Sequence, residues 1–184
     1  MGAAQLCTDR YRIARLDQLS KSARELVRNP ANLLAVIRVL EQGRTVPENE
    51  FDLHQTLLQP IIEKWQKDNV MSYLTELQLA AEVFAETGRS DVLTQRKFAD
   101  QDALVEARVV IRRAGGLFFA NDRLPAFLVA DAIVKEPDAV SRMKLVANDQ
   151  WRLIFDMISR ELPLASVSVL VGALLESATP SGLT

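Results

Sequence analysis

The sequence predicts an all-α fold, a multi-helix bundle with a winged-helix-like subdomain that carries one short β-hairpin. Three observations predict it. Apolar residues recur at three- and four-residue spacing in segment after segment, the period of a helix with one buried face. Glycine or proline stands at most of the segment boundaries. The third is the run Gly115-Gly116-Leu117-Phe118-Phe119-Ala120-Asn121-Asp122 followed by Arg123-Leu124-Pro125-Ala126-Phe127-Leu128-Val129-Ala130. It reads as a glycine break, a short aromatic strand, a polar turn and an apolar helix, the order that closes a winged helix-turn-helix.

The first predicted helix covers about residues 8–28, with Leu16, Leu19, Ala23, Leu26 and Val27 on its apolar face. Asn29 caps the next one and Pro30 occupies its first position, where a missing N–H costs nothing. Leu33, Leu34, Ile37 and Leu40 form its stripe, and Gly43 ends it in the left-handed conformation. Pro47 opens a third helix with Glu48 and Glu50 in its first turn and Phe51, Leu58, Ile61, Ile62 and Trp65 inward. Pro60 removes one of its hydrogen bonds and predicts a kink near Thr56. A fourth helix spans about 72–87, with Tyr73, Leu77, Ala80, Ala81 and Phe84 inward and Gly88 as its cap.

Residues 90–98 read as a short helix or turn. Asp100 or Asp102 then caps a helix running through Leu104, Ala107, Val110, Ile111 and Ala114 to the stop at Gly115-Gly116. Residues 117–120 are the one credible strand, with Asn121-Asp122 as its turn. Helices follow at about 124–135, 138–146 and 150–162, separated by Pro137 and Pro163. The last, 164–176, is apolar on every face and is expected to be buried in a core or on a partner. These elements group into a first helical subdomain at 8–67, a winged-helix-like subdomain at 68–135, and a helical unit at 136–184 that can begin a solenoid.

A chain of 184 residues buries roughly 70% of its unfolded surface and needs no disulfide or metal staple. Cys7 is the only cysteine, which fits a reducing compartment. Lys+Arg is 22 and Asp+Glu 24, a net charge of −2, so no basic excess points to nucleic acid or an anionic membrane. Residues 1–6 lack the basic-then-apolar layout of a secretory signal, and the apolar run 164–175 is too short to span a bilayer. A cytoplasmic protein without membrane association is expected.

No catalytic constellation stands out. His54 is the only histidine and has no clustered ligands in sequence, so it is expected on a solvated helix face. No Gly-x-x-x-x-Gly-Lys-Ser/Thr phosphate loop occurs, and ATP hydrolysis by this chain is not expected. Arg108, Arg112 and Arg113 fall on the candidate recognition helix, beside Arg96 and Lys97, where they would meet DNA phosphates. Asp100, Asp102 and Glu106 in the same stretch oppose that use.

The segment order resembles the helical region that follows the ATPase core of NACHT-type signal-transduction NTPases, the STAND class. Leu26-Val27-Arg28-Asn29-Pro30-Ala31-Asn32-Leu33-Leu34 is similar to that family's Asn-Pro-apolar stretch. The resemblance places Pro30 on the family's adenine-touching proline. Phe119, Leu124, Phe127, Leu128 and Ala130 match the family's Phe-x-His-x-x-Phe-x-Glu-Tyr-apolar-x-Ala pattern in character and spacing. The family's diphosphate-reaching histidine falls on Asn121, its glutamate on Ala126, and Asn32 stands where an apolar residue is common. Asn donates a hydrogen bond to phosphate but carries no charge at any pH.

The resemblance implies a non-catalytic regulatory and protein-interaction module for signal transduction. It would pack on a nucleotide-binding domain, with Pro30 and Asn121 facing the nucleotide. No cofactor is assigned to this chain itself; ATP or ADP enters only with a larger NTPase. Residue chemistry leaves two other readings. One is a standalone helical adaptor that self-associates through the last helix, with Leu164, Val167, Val171 and Leu174 at the interface. The other is a winged-helix DNA binder, which the acidic neighbours disfavour.

Overall fold

Four helix starts in this protein follow short polar side chains placed just ahead of them, Ser20, Asn29, Asn49 and Asn121. The structure, a computed structural model, describes residues 19–89, 91–94, 101–114, 116–136, 149–163 and 166–172. The described chain is mostly helical with one small two-stranded antiparallel sheet. The chain divides into two compact units, Met1–Lys64 and Trp65–Thr184.

In the first unit, α1 spans Lys21–Leu26 and α2 Pro30–Glu41. The Ala23 amide donates to Ser20 Oγ at 3.1 Å, and the Ala31 amide to Asn29 Oδ1 at 3.0 Å. Ser20 therefore starts α1 at Lys21, so Leu19 lies ahead of the helix; residues 8–18 lie outside the described residues. Pro30 takes the first helical position of α2, as its fixed φ favours. The buried face of α2 is Asn32, Leu33, Ala35, Val36, Ile37 and Val39, whereas Leu34 is exposed and Leu40 half-buried. The predicted stripe was rotated, because apolar residues occupy so much of this helix that spacing alone does not choose a face.

α3 spans Glu50–Lys67, and the boundary between the units falls within it. It starts later than Pro47. Asn49 Oδ1 accepts from the Asp52 amide and Asn49 Nδ2 donates to Asp52 Oδ2, both at 2.8 Å. The helix continues through Pro60. Leu53 and Leu57 join Phe51, Leu58 and Ile61 in the core, and so does His54, which has no exposed surface. The expectation of a solvated His54 is corrected: it lies on the buried arc of its helix, with Nε2 3.7 Å from Glu50 Oε1 one turn earlier.

In the second unit α4 spans Ser72–Thr87, α5 Gln101–Glu106, β1 Val110–Arg113, β2 Gly116–Phe119, α6 Arg123–Lys135 and α7 Asp149–Ile158. A further helix covers 166–172, and residues 138–146 lie outside the described residues. α6 packs against both α4 and α7. Nine of its thirteen residues are buried, Leu124 to Asp131 without a break and then Ile133. Val110 pairs with Phe119 and Arg113 with Gly116 across the hairpin. Leu117 and Phe119 turn inward, and Phe119 meets Phe84 of α4 edge-on at 5.9 Å.

The hairpin replaces much of a predicted helix. Helix α5 stops at Glu106, well short of Ala114, because Arg108 adopts a left-handed φ of 59°. The Arg108 amide then donates to Val105 O at 3.0 Å and the Val109 amide to Leu104 O at 2.9 Å. That is a Schellman closure, with buried Leu104 and Val109 as its apolar pair. Asn69 closes α3 in the same way, and Gly43 closes α2. Gly88, with φ of 66°, ends α4 as expected. The strands pair up to Arg113 and Gly116, so Asn121-Asp122 is not the hairpin turn.

Thr94, in the 91–94 turn, ties itself to β2. Its Oγ1 donates to Leu117 O at 3.1 Å and accepts from the Leu117 amide at 3.2 Å. The backbone approaches so closely that a Cβ on Gly116, whose φ is 149°, would overlap the Thr94 side chain.

Two outcomes follow. Arg108→Gly removes the left-handed penalty on a side-chain-bearing residue and should raise stability by about 0.5–1 kcal/mol in urea denaturation. Gly116→Ala should cost about 2–3 kcal/mol through overlap and loss of the Thr94 bonds. Thr94→Ala in the same chain should recover part of that loss, which a double-mutant cycle would detect.

Candidate functional site

Pro30 sits at a helix N-terminus in the first unit and Asn121 at one in the second. A helix N-terminus attracts anions only where its first amides point outward unsatisfied. At α2 they are satisfied. Pro30 has no N–H, the Ala31 amide is held by Asn29 Oδ1, and the Asn32 amide donates to Asn29 O at 3.1 Å. What α2 presents there is the exposed ring of Pro30, an apolar surface with no donor. Asn32, two residues on, is buried at 3% exposure.

The start of α6 is closed in the same manner. Asn121 Oδ1 accepts from the Arg123 amide at 2.9 Å and the Leu124 amide at 3.1 Å, and the next residue, Pro125, has no N–H. Asn121 is thus the side chain that caps α6. Asp122, at the adjoining position, makes no side-chain cap bond. With its carbonyl oxygen committed to its own helix, Asn121 has only Nδ2 to offer a ligand. The side chain is half-buried at the junction between β2 and α6.

The apolar positions that carry the family-like pattern are all interior. Phe119, Leu124, Phe127, Leu128 and Ala130 are buried, and so is Ala126, where the pattern has glutamate. Core packing of β2 and α6 accounts for every one of them. The arginines take different places from those predicted. Arg112 and Arg113 are exposed on strand β1, not on a recognition helix, and Arg108 is exposed in the turn that ends α5. Arg112 Nη2 is 2.6 Å from Asp102 Oδ1, so this acidic neighbour pairs with an arginine and does not cap a helix. Arg96, Lys97 and Asp100 lie outside the described residues.

The last helix departs from its expected full burial. Leu170 is buried, but Val169 is 71% exposed and Val171 40%. Val167 is half-buried, while Leu164 and Leu174 lie outside the described residues. Leu170 is covered, and Val169 and Val171 on either side of it present aliphatic surface to solvent.

Sequence reasoning missed a polar group inside the second unit. Asp131 is 4% exposed in the middle of α6; Lys135 Nζ bonds its Oδ2 at 2.7 Å, and Gln78 Nε2 of α4 lies 3.5 Å away. The Asp131/Lys135 spacing of one helical turn was the available signal. Burial of the acid within a continuous apolar run gave none. At the surface, Arg89 donates to both carboxylate oxygens of Asp91, at 3.0 and 2.8 Å. The hydrogen bond and charge of Asp91 push the guanidinium pKa further up. Among the described residues no group of three or more His, Cys, Asp or Glu is placed to hold a metal ion, and no helix is long and apolar enough to cross a membrane.

Comparison with protein-family models, with curated proteins and with solved structures finds no match to this chain.

The cap geometry makes Asn121 separable into its two halves. Asn121→Ala should cost about 1 kcal/mol by releasing the Arg123 and Leu124 amides. Asn121→Asp keeps the capping oxygen and should leave stability within about 0.5 kcal/mol of the parent chain in thermal unfolding. Equal losses for the two variants would show that the side chain acts through Nδ2 instead.

Proposed function

We propose that this chain is a non-catalytic regulatory and protein-interaction module, winged-helix-like around its hairpin, that packs on a nucleotide-binding domain as the corresponding region of NACHT-type NTPases does. The observation that carries this reading is the junction of β2 and α6. A short hairpin delivers the chain into a buried helix, and a polar side chain with one remaining donor, Asn121, stands at the joint. Pro30, exposed at the start of α2 in the first unit, is on this reading the residue that would meet the base, as the resemblance implies. Nucleotide would enter with the partner domain, and the cytoplasm is the compartment this reading implies. The module would act by biasing a conformational equilibrium, binding one state of its partner domain better than another.

The test uses the polypeptide or complex that carries the nucleotide-binding domain. Asn121→Asp preserves the cap, removes the Nδ2 donor and sets a negative charge toward phosphate. It should lower retention of ADP on purification by about tenfold to a hundredfold, the equivalent of roughly 1.5–3 kcal/mol. Pro30→Ala should weaken retention by a smaller factor. Unchanged ADP content in both variants, with unfolding curves like those of the parent, would overturn the reading.

A second reading is favoured by one observation, the exposure of Val171 on the last helix. In it the chain self-associates through that surface, with Leu164, Val167, Val171 and Leu174 as proposed contacts. Sedimentation from low to high micromolar concentration should show a dimer that Val167→Asp with Val171→Asp converts to monomer. A concentration-independent monomer in the unsubstituted chain would remove this reading. DNA binding has less support, because Arg112 and Arg113 sit on a strand and Arg112 is paired with the Asp102 carboxylate.

A further inference from the structure

We draw no further inference here: the strongest candidate, the exposed Leu79–Val83 stripe on α4, carries nothing because no feature of the structure shows what covers it, and the neighbouring carboxylates of Glu76, Glu82 and Glu86 are already engaged within the chain.

Discussion

The burial of α6 is the constraint on which the second unit depends. A helix usually hides one stripe and leaves the opposite face to water. Here the residues from Leu124 to Ile133 are buried almost without interruption, and α4 and α7 both pack on them. Two consequences follow from placing such a helix inside a small unit. Its ends need local partners, because a buried terminus strips water from its unpaired amides. Asn121 and Pro125 meet that need at the start: one holds two amides and the other has none to hold. The chain must also arrive from a fixed direction. The hairpin sets it, with Phe119 packed edge-on against Phe84 just before the cap.

A fully buried helix also has to be told which way to face. Apolar contacts around its whole circumference distinguish rotational settings poorly, since one aliphatic side chain substitutes readily for another. Asp131 is the one charged residue inside this interior run. Its carboxylate must reach Lys135 at the exposed end of the helix and lies within reach of Gln78 on α4. Rotating α6 would leave the Asp131–Lys135 pair intact, since both residues belong to this helix, but it would take the buried carboxylate away from Gln78, its contact on α4. The Lys135 pair neutralises the buried carboxylate from within α6, and the Gln78 contact is what relates its orientation to α4.

How much of this was legible in the sequence depended on whether the controlling residue advertises its conformation. Asn29-Pro30, Gly43 and Gly88 do so, because few residues suit those backbone positions as well. Arg108 does not. Arginine carries no preference for the left-handed region, so the end of α5 and the whole of β1 were read as continued helix. The apolar residues Val110 and Ile111 fit a helical stripe as well as a strand, and only the pairing with Phe119 and Phe118 decides between them. His54 failed for a related reason. A single imidazole gives no periodic signal, and its burial follows from its neighbours Leu53, Leu57 and Leu58, not from its own chemistry.

The same distinction bears on the candidate site. A pattern of apolar residues around a hairpin and helix can recur wherever a short strand feeds a buried helix, because packing alone demands it. Phe119, Leu124, Phe127, Leu128 and Ala130 are all interior and so speak to architecture. Chemistry toward a ligand has to come from the groups that packing leaves over. At both helix starts the backbone amides are already satisfied, which removes the usual basis for phosphate binding there. What remains is one proline ring and one side-chain amide nitrogen. Neither carries charge, so any nucleotide contact they make would depend on shape and on a single hydrogen bond. On the proposed reading, a partner domain would have to supply the electrostatic part of recognition.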